Sequence, residues 1–544
     1  MYITLSVGLL ALASSVFADV TYNVVAFPDA ATNKYAVEVN EKLYPLRTSE
    51  AIFPLWSANV AGVTASANYR YVQLDGENNV VDREGFERQF AEKDATATLN
   101  EFFNRQTTIT TLPPMKQVYE DVRPKPSKAW DSSQIATIHL TAEPGTFEDM
   151  MNNPLDKEAE PIKAGFRFIN ANTVYSVGEA KLSVSGNSSR KFKKVSLRVK
   201  FDDHKGETFF DRPIIKLRAE ATDKTLMREK LYVDILNSVG VPTYQGSYAR
   251  VYVNGEPHGL FLMVEDIEEP FLMNTIHHGS IKDKKQLGSL YQMNLREAPM
   301  TYEGPNPEDY RERVYMNKIE SPHDKNMQQW IGFMKDLQDF NPAAPGGVEF
   351  WSKRLDLDGY LRAMAIEYLA GAWDSFWWRG HNFFMYHNPE TKVWQFIPTD
   401  FDHTFNNGNR PNGDMPYQNF LPLHHSRKFT ARPLVTKLIY KNKDINKKFE
   451  NILHTITREV FNSEVLDARI DAYEQQIGPE VAWDYSIDRT DKPGKSVHRG
   501  FDTFHTAIKG KTIKPKDNTG KLIRGLKPWI AARANRVLNG VAAQ

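Results

Sequence analysis

The sequence predicts an α+β protein in which a β-sandwich comes first, a strand-rich part second and a mainly helical part last. Short runs of alternating apolar and polar residues, such as Val20–Phe27, fill residues 19–110 and are separated by turn residues. Strand patterns return over 135–270, and helical patterns dominate 271–544. With 544 residues, 41% of them hydrophobic and 25% charged, the chain is long enough for several globular cores.

Residues 111–134 are typical of a linker, because they contain Pro113-Pro114 and Pro124-Lys125-Pro126. The sandwich domain that precedes them has two possible roles. Such a domain can bind carbohydrate or protein, or it can serve only as a packing module, and the sequence leaves both open.

The strand-rich part contains three recognisable local signals. A turn at Gly186–Arg190 precedes a basic strand, Lys193–Phe201. A helix is predicted from Thr225 to Val239, with apolar residues in register, and Gly240-Val241-Pro242 ends it. Asn254-Gly255 predicts a tight hairpin between two further strands.

Charge and cysteine content exclude several classes of function. The formal net charge is zero, from 68 basic and 68 acidic residues, whereas a general nucleic-acid binder would be basic. We therefore expect no nucleic-acid partner. The chain has no cysteine, which excludes disulfides, thiol catalysis and zinc sites built on cysteine.

Residues 1–18 are predicted to be a signal peptide that is cleaved after Val16-Phe17-Ala18. The apolar run is too short for a stable membrane span, although a buried first strand or an uncleaved anchor is an alternative. The C-terminal residues lack the apolar tail of a GPI signal. We expect a protein of the secretory pathway that is secreted without an anchor, with a glycosylation sequon at Asn187.

The segment 371–405 holds the most informative arrangement of polar residues. A helix with Asp358 as its N-cap is predicted to end at Gly371, and Asp374 follows in a loop. Asn382 opens a short strand, and a turn at Asn388-Pro389 leads to a second strand, residues 393–397. Asp400 and Asp402 follow that strand, so the order is acid, amide, hairpin, acid pair.

This order suits phosphoryl transfer. That reaction needs a group that accepts the hydroxyl proton, divalent metal on the phosphates, and a cation, and hard metal ions take carboxylate and amide oxygens. If the segment is extended, Asp400 and Asp402 share one strand face. The alternative is that these carboxylates only cap helix and strand ends.

His381 and His403 flank the acids and raise a second alternative, a metal phosphoesterase. Neighbouring residues in a strand point to opposite faces, which separates these rings from Asn382 and Asp402. A core or hydrogen-bonding role is therefore favoured for both histidines.

A series of short motifs, each weak alone, occurs in a specific order between Val177 and Phe405. The motifs are Gly186-Asn187-Ser188-Ser189-Arg190, Lys194-Val195-Ser196-Leu197-Arg198-Val199-Lys200-Phe201, Leu217-Arg218-Ala219-Glu220, Met227-Arg228-Glu229-Lys230-Leu231, Tyr252-Val253-Asn254-Gly255-Glu256, Gly259-Leu260-Phe261-Leu262, Val264-Glu265, Trp373-Asp374 with Asn382, and Ile397-Pro398-Thr399-Asp400-Phe401-Asp402. On these motifs the chain resembles the spore-coat CotH family of atypical secretory kinases, in particular its fungal members from moulds.

The resemblance implies an atypical protein-kinase-like bilobal fold after the sandwich. It also implies transfer of the ATP γ-phosphate to serine or threonine hydroxyls of a protein substrate, with Mg²⁺ or Mn²⁺. Asp374 would be the catalytic acid-base residue. Asp400 would hold metal, with Asn382 and Asp402 assisting.

The resemblance also implies a nucleotide site. Lys200 is the expected phosphate-binding cation, with Lys194, Arg198 and Arg218 as rivals, and Glu229 is the helix acid that would pair with it. Glu265 would lie at the adenine hinge. The chain has no glycine-rich G-x-G-x-x-G loop, so the turn that ends at Arg190 would have to cover the phosphates. A glycan on Asn187 would crowd a nucleotide there.

A second function remains open from the resemblance. Some relatives from moulds are implicated as host-cell ligands, so the fold could act as a secreted or cell-surface adhesin or invasin. Its partner would then be a host-cell surface protein, and the kinase-like fold would serve binding alone.

Overall fold

The computed structural model describes residues 18–63, 67–90, 95–124, 127–202, 206–322, 324–408, 415–420, 432–496, 500–510 and 525–540. Residues 1–17, which hold most of the predicted signal peptide, lie outside these ranges. The described chain divides into two compact units. The first comprises residues up to Ile109 together with Ala136–His139 and Arg167–Ser176, and the second comprises the rest.

The first unit contains two β-sheets that share one hydrophobic core. The strands are β1 Ala18–Val25, β2 Lys34–Val39, β3 Lys42–Pro45, β4 Leu55–Val63, β5 Tyr69–Leu74, β6 Val80–Arg83 and β7 Glu101–Phe102. One sheet has the order β4-β1-β7 and the other β3-β2-β5-β6. Alternate residues of β1 (Val20, Tyr22 and Val24) are buried against Tyr35 of β2 and Tyr69 of β5, as the period-two pattern requires.

A closed seven-stranded barrel has the order β10-β11-β12-β14-β13-β8-β9, and most of its residues belong to the second unit. Its strands are β8 Ala136–Ala142, β9 Ile162–Asn170, β10 Thr173–Ser185, β11 Ser196–Lys200, β12 Ile214–Arg218, β13 Gly246–Val253 and β14 Glu256–Glu265. The hairpin predicted at Asn254-Gly255 is confirmed, since it joins β13 to β14. The basic strand is shorter than predicted and begins at Ser196.

A four-stranded sheet and the α-helices of the described chain complete the second unit. The sheet has the order β16-β15-β17-β18, with β15 Leu290–Met293, β16 Met316–Ile319, β17 Phe383–His387 and β18 Trp394–Pro398. The α-helices are α1 Pro144–Asn152, α2 Arg228–Ser238, α3 Glu269–Phe271, α4 Gln328–Asp339, α5 Gly347–Ser352, α6 Leu357–Ala370, α7 Phe376–Arg379, α8 Lys443–Glu459, α9 Ser463–Ser486, α10 Phe501–Lys509 and α11 Leu526–Gly540. Within the described ranges, no helix combines the length and the apolar character that crossing a membrane requires.

The N-cap of helix α6 lies two residues earlier than predicted. The carboxylate of Asp356 accepts the backbone N–H of Gly359 at 3.0 Å and is the N-cap. The prediction that Asp358 caps the helix is therefore wrong. Asp358 lies in the first turn and pairs with Lys448 at 2.8 Å. The predicted end at Gly371 is confirmed, because this glycine has φ 60°.

Helix α2 is unusual because all eleven of its residues are buried. It begins at Arg228 and ends at Ser238, inside the predicted limits of 225 and 239. The residues interpreted from the sequence as a linker belong to the second unit and contact the end of this helix. Val118 donates its backbone N–H to the carbonyl of Ser238 at 2.9 Å.

Gly288 allows β15 to approach β17. A Cβ at this position would lie 1.7 Å from the carbonyl oxygen of His387, which is rigid backbone. We expect Gly288→Ala to lower the free energy of unfolding by roughly 3 kcal/mol. Gly332, exposed within α4, has open space at its Cβ, and Gly332→Ala should raise stability by about 0.5–1 kcal/mol. Denaturant unfolding of the two variants checks this, and similar changes for both would contradict the packing described.

Candidate active site

Asp374 lies in the turn between α6 and α7, with polar groups around its carboxylate. Oδ1 forms an ion pair with Arg379. The amide nitrogen of Asn382 donates to Oδ2 of Asp374 at 3.2 Å and to its backbone carbonyl at 3.1 Å. These contacts fix the direction of the carboxylate, and they bring together two of the residues that the sequence singles out.

The β17–β18 hairpin places Asn382 and Asp400 side by side. Phe383 pairs with Pro398, and Thr399 donates its N–H to the carbonyl of Asn382 at 3.1 Å. Both Asn382 and Asp400 have left-handed backbone, with φ 57° and 62°. Because the strand ends at Pro398 and the chain turns at Asp400, the expectation that Asp400 and Asp402 share an extended strand face is wrong.

Phe401 separates the two acids and anchors them to the rest of the unit. Its ring stacks on Tyr232 of α2 with 4.2 Å between centroids, and on Tyr244 with 5.6 Å. Asp402 accepts a hydrogen bond from the hydroxyl of Thr222. The acid pair is therefore held in place by the packing of Phe401 between the two acids and by the hydrogen bond to Asp402.

Arg218, the last residue of β12, joins three carboxylates. Its guanidinium lies 2.5 Å from Asp400, 2.7 Å from Glu229 of α2 and 3.4 Å from Glu220. Burial alone would lower the pKa of Arg218, but Asp400 and Glu229 raise it well above its ordinary value. Desolvation opposes ionisation of Asp400, yet Arg218 holds its pKa below the ordinary value, so this carboxylate is charged at neutral pH.

The other acids around Arg218 have raised pKa values. Burial raises the pKa of Glu229 to about 7, although Arg218 opposes the shift, and Tyr244 donates its hydroxyl to the carboxylate at 2.5 Å. Burial and the nearby Glu229 raise the pKa of Glu220. Burial also raises that of Asp402. The guanidinium of Arg218 is thus shared by several acids. An additional cation near these carboxylates would therefore be stabilised.

Arg218 lies in an open polar cleft. The cleft is lined by Lys216, Arg218, Tyr244, Val264, Glu265, Asp266, Ile267, Gln292, Asn294, Asn382, Phe384, Thr399 and Asp400. Glu265 lies at the end of β14 and pairs with Arg212 at 3.3 Å, and Lys216 pairs with Asp266 at 2.8 Å. The cleft therefore contacts both the barrel and the β17–β18 hairpin.

The structure does not bring Lys200 to this cluster. Its side chain is exposed at the end of β11, and within the described residues it forms no ion pair. The expected pairing of Lys200 with Glu229 is therefore not made, because Arg218 makes it. Lys194 is buried against Asp484 at 2.9 Å, and Arg198 lies 3.9 Å from Asp266.

The turn Gly186–Arg190 lies elsewhere as well. The guanidinium of Arg190 donates to the backbone carbonyls of Val184 at 2.6 Å and Asp156 at 2.8 Å, so it serves the turn itself. As far as the structure describes the chain, no residue of this turn lines the cleft. Asn187 is exposed and accepts a hydrogen bond from Lys157. Its glycosylation stays a prediction.

The acid and amide oxygens suit a hard divalent cation. Asn382 Oδ1, Asp400 Oδ2 and Asp402 Oδ1 accept no hydrogen bond from the residues that the structure describes, and the Asp400 side chain is 41% exposed. In the described part of the chain, no three acids or histidines are already grouped as a complete metal site. Mg²⁺ is commonly held by one or two carboxylates with phosphate oxygens and water completing the shell, so the donor set fits.

Both histidines lie next to acids. His381 Nδ1 is 3.9 Å from Asp374, and burial lowers the pKa of His381 although Asp374 opposes the shift. His403 Nε2 is 4.0 Å from Asp402, and its ring lies 4.6 Å from that of Trp373. These positions place the rings beside the acids at distances longer than hydrogen bonds.

Comparison with known proteins decides the family. The family model described as CotH kinase protein matches residues 182–533. The chain belongs to the CotH kinase family. The matched range includes Arg218, Glu229, Asp374 and Asp400, so the cluster and the cleft both lie inside the CotH region.

Individual relatives support this assignment. Spore coat protein homolog 1 of Rhizopus delemar is 28% identical over 529 residues, covering 96% of this chain and 81% of the relative. Invasin CotH3 of the same organism is 28% identical over 533 residues, covering 96% and 84%. Inner spore coat protein H of Bacillus subtilis is 26% identical over 323 residues, covering 57% and 81%.

Several residues around this cluster are not among those that the sequence singles out. Lys216 could have been found, because it lies two residues before Arg218 and so on the same face of β12. Thr222 and Tyr244 gave no signal, since their contacts with Asp402 and Glu229 depend on tertiary packing. The sequence gave only a weak signal for Arg379, which is a basic residue at the end of a short helix.

Glu367 of α6 supports the Asp374 turn and predicts a pH dependence. Its carboxylate accepts the backbone N–H of Trp377 at 2.7 Å, and burial raises its pKa from 4.5 to about 8. Because the pKa of Glu367 is higher in the folded state than in the unfolded state, protonated Glu367 contributes to the free energy of unfolding. This contribution is fully present below about pH 4.5 and is lost as the pH rises towards 8. The free energy of unfolding of Glu367→Gln, relative to that of the wild type, should therefore be higher at pH 9 than at pH 5.

Denaturant unfolding across this pH range checks the prediction, with the exposed Glu312→Gln as the matched control. Parallel pH profiles for the wild type and Glu367→Gln would contradict the assignment of this pH dependence to Glu367.

Proposed function

We propose that this chain is a secreted protein kinase that transfers the γ-phosphate of ATP to serine or threonine hydroxyls of a protein. The observation that carries this proposal is the guanidinium of Arg218, which joins Glu229 and Asp400 inside a polar cleft. Kinases need a cation on the phosphates that is oriented by a helix acid, next to a metal-binding aspartate. Membership of the CotH kinase family supports this interpretation.

The proposed catalytic unit would consist of two kinase-lobe-like parts. Residues 135–270, with the barrel strands and α2, would form the N-lobe-like part, and residues 271–544 the C-lobe-like part. The cleft is lined by Val264 from the first part and Phe384 from the second. These apolar side chains suit the faces of a nucleobase, and Glu265, which also lines the cleft, would serve as the hinge residue.

Arg218 would bind the phosphates, in place of Lys200. Its planar guanidinium has enough donors to remain on Glu229 while it contacts phosphate oxygens. The raised pKa keeps it charged throughout the physiological range. Its role is to neutralise charge that develops on the transferred group.

Asp374 would orient the substrate hydroxyl and accept its proton. The hydroxyl oxygen forms a bond to the γ-phosphorus, the bond from that phosphorus to the β–γ bridging oxygen breaks, and ADP leaves with the electron pair. Asn382 and Arg379 hold the Asp374 carboxylate in one direction. Such positioning accounts for much of kinase catalysis, because the transition state is loose.

Asp400 would hold Mg²⁺ or Mn²⁺, assisted by Asn382 and Asp402. When bound, the ion supplies Lewis-acid neutralisation of phosphate charge. The excess of acids over Arg218 explains why added positive charge would stabilise this cluster. The predicted signal peptide supports a secretory location for the reaction.

A second candidate function is host-cell binding. It is favoured by the names of relatives, since Invasin CotH3 aligns over 96% of this chain. In that case a host-cell surface protein would be the partner. Binding of this kind does not depend on the chemistry of Asp374.

Substitution of the two aspartates tests the kinase proposal. Asp374→Asn should lower transfer to a serine-containing protein by about 100- to 10,000-fold, because the proton acceptor is lost. It should keep the rise in Tm that ATP and Mn²⁺ cause in the wild type. Asp400→Asn should lose both transfer and the rise in Tm, because metal-nucleotide binding is lost.

The exposed Asp211→Asn is the matched control and should behave as the wild type. If both site variants transfer phosphate as well as the control, the kinase proposal is wrong. If the wild type shows no rise in Tm at saturating nucleotide, the binding-only function is favoured.

A further inference from the structure

The segment Met115–Glu120, which we call the strap, runs against the C-terminal end of α2. Val118 donates its N–H to the carbonyl of Ser238 at 2.9 Å, and Gln117 donates its amide to the carbonyl of Asn237 at 2.9 Å. The Ser238 hydroxyl donates to the carbonyl of Lys116. The last carbonyls of a helix lack partners within it, and the strap satisfies two of them.

The strap fits closely and is fixed to neighbouring helices. A Cβ on Gly240 would lie 2.3 Å from the carbonyl oxygen of Glu120, so only glycine allows this approach. Arg362 of α6 lies over the ring of Tyr119 at 4.8 Å. Arg469 of α9 donates to the carbonyl of Pro113 at 2.8 Å, just before the strap.

Arg469 also fixes the middle of α2. Its guanidinium donates to Asp234 Oδ2 at 2.9 Å, and Lys230 lies on the other oxygen of the same carboxylate. Burial alone would raise the pKa of Asp234, but Lys230 and Arg469 hold it below the ordinary value. A buried charge network therefore links α2 to α9.

The opposite side of α2 carries two contacts of the active site. Glu229 meets Arg218 at 2.7 Å, and the Tyr232 ring stacks on Phe401 at 4.2 Å. A shift of α2 by about 1 Å would disturb both contacts at once, and misplacement on this scale is costly to catalysis.

From these contacts we infer that the strap and Arg469 are positioning elements. They hold α2 where Glu229 orients Arg218 and Tyr232 supports Phe401. This inference rests on the proposed function for its consequence in catalysis. It extends the functional unit to Met115, ahead of residues 182–533 that the family model matches. It also makes α2 a fixed helix and not a mobile switch.

The test loosens the strap in the full-length protein. The triple variant Gln117→Ala, Tyr119→Ala, Ser238→Ala removes the side chains that fasten the strap. Lys116→Ala is the matched control, because it removes only an exposed pair with Glu459 from the same segment. We expect amide exchange of residues 228–238 to rise at least about tenfold in the triple variant, with no change in the control. Affinity for ATP with Mn²⁺ should fall about tenfold.

A second variant keeps the test decisive if the triple variant does not fold. Arg469→Met removes the donors to Pro113 and Asp234, and Arg458→Met, at an exposed position on α8, is its control. The same two measurements apply, with the same expected direction. Arg469→Lys, which retains a charge for Asp234, should recover part of the lost affinity.

Unchanged exchange of α2, or a uniform rise across the whole chain, would overturn the inference. Faster α2 exchange with unchanged nucleotide affinity would also overturn it, since the strap would then act on stability alone. If the wild type binds no nucleotide, the proposed function fails, and α2 exchange alone decides whether the strap holds the helix.

Discussion

The partly buried charge cluster of Arg218 with Glu229 and Asp400 is the interaction on which the rest of the site depends. Removing charges from water is costly, and such a cluster persists only when its geometry is fixed by surrounding structure. Here the barrel supplies Arg218, a wholly buried helix supplies Glu229, and the end of a hairpin supplies Asp400. Loss of Arg218 would leave Glu229 and Asp400 without the cation that pairs with both.

The placement of these three groups follows from ordinary rules of strand and helix geometry. Arg218 faces the cleft because it alternates with buried residues of β12. Asp400 faces it because the chain leaves β18 through a left-handed residue. Asn382 begins the partner strand and ties Asp374 to the same hairpin, so Asp374 and Asp400 share one support.

Local order along the chain predicted part of this site, and tertiary contacts determined the rest. The grouping of Asp374, Asn382 and Asp400 around one hairpin could be predicted, because these residues are close together in the chain. The cation that pairs with Glu229 could not, because choosing Arg218 over Lys200 requires knowing which strand ends beside α2. The prolines near 113 suggest a linker, yet the following residues satisfy helix carbonyls, which only the folded structure reveals.

The most direct measurement of the central claim is the affinity for ATP with Mn²⁺ of Arg218→Met and Lys200→Met, by titration calorimetry. Arg218 lies in the charge cluster, whereas Lys200 is exposed outside the cleft. The account predicts that Arg218→Met loses at least about tenfold in affinity, equivalent to about 1.4 kcal/mol, while Lys200→Met binds as the wild type. Undiminished binding by folded Arg218→Met, with loss in Lys200→Met, would contradict it.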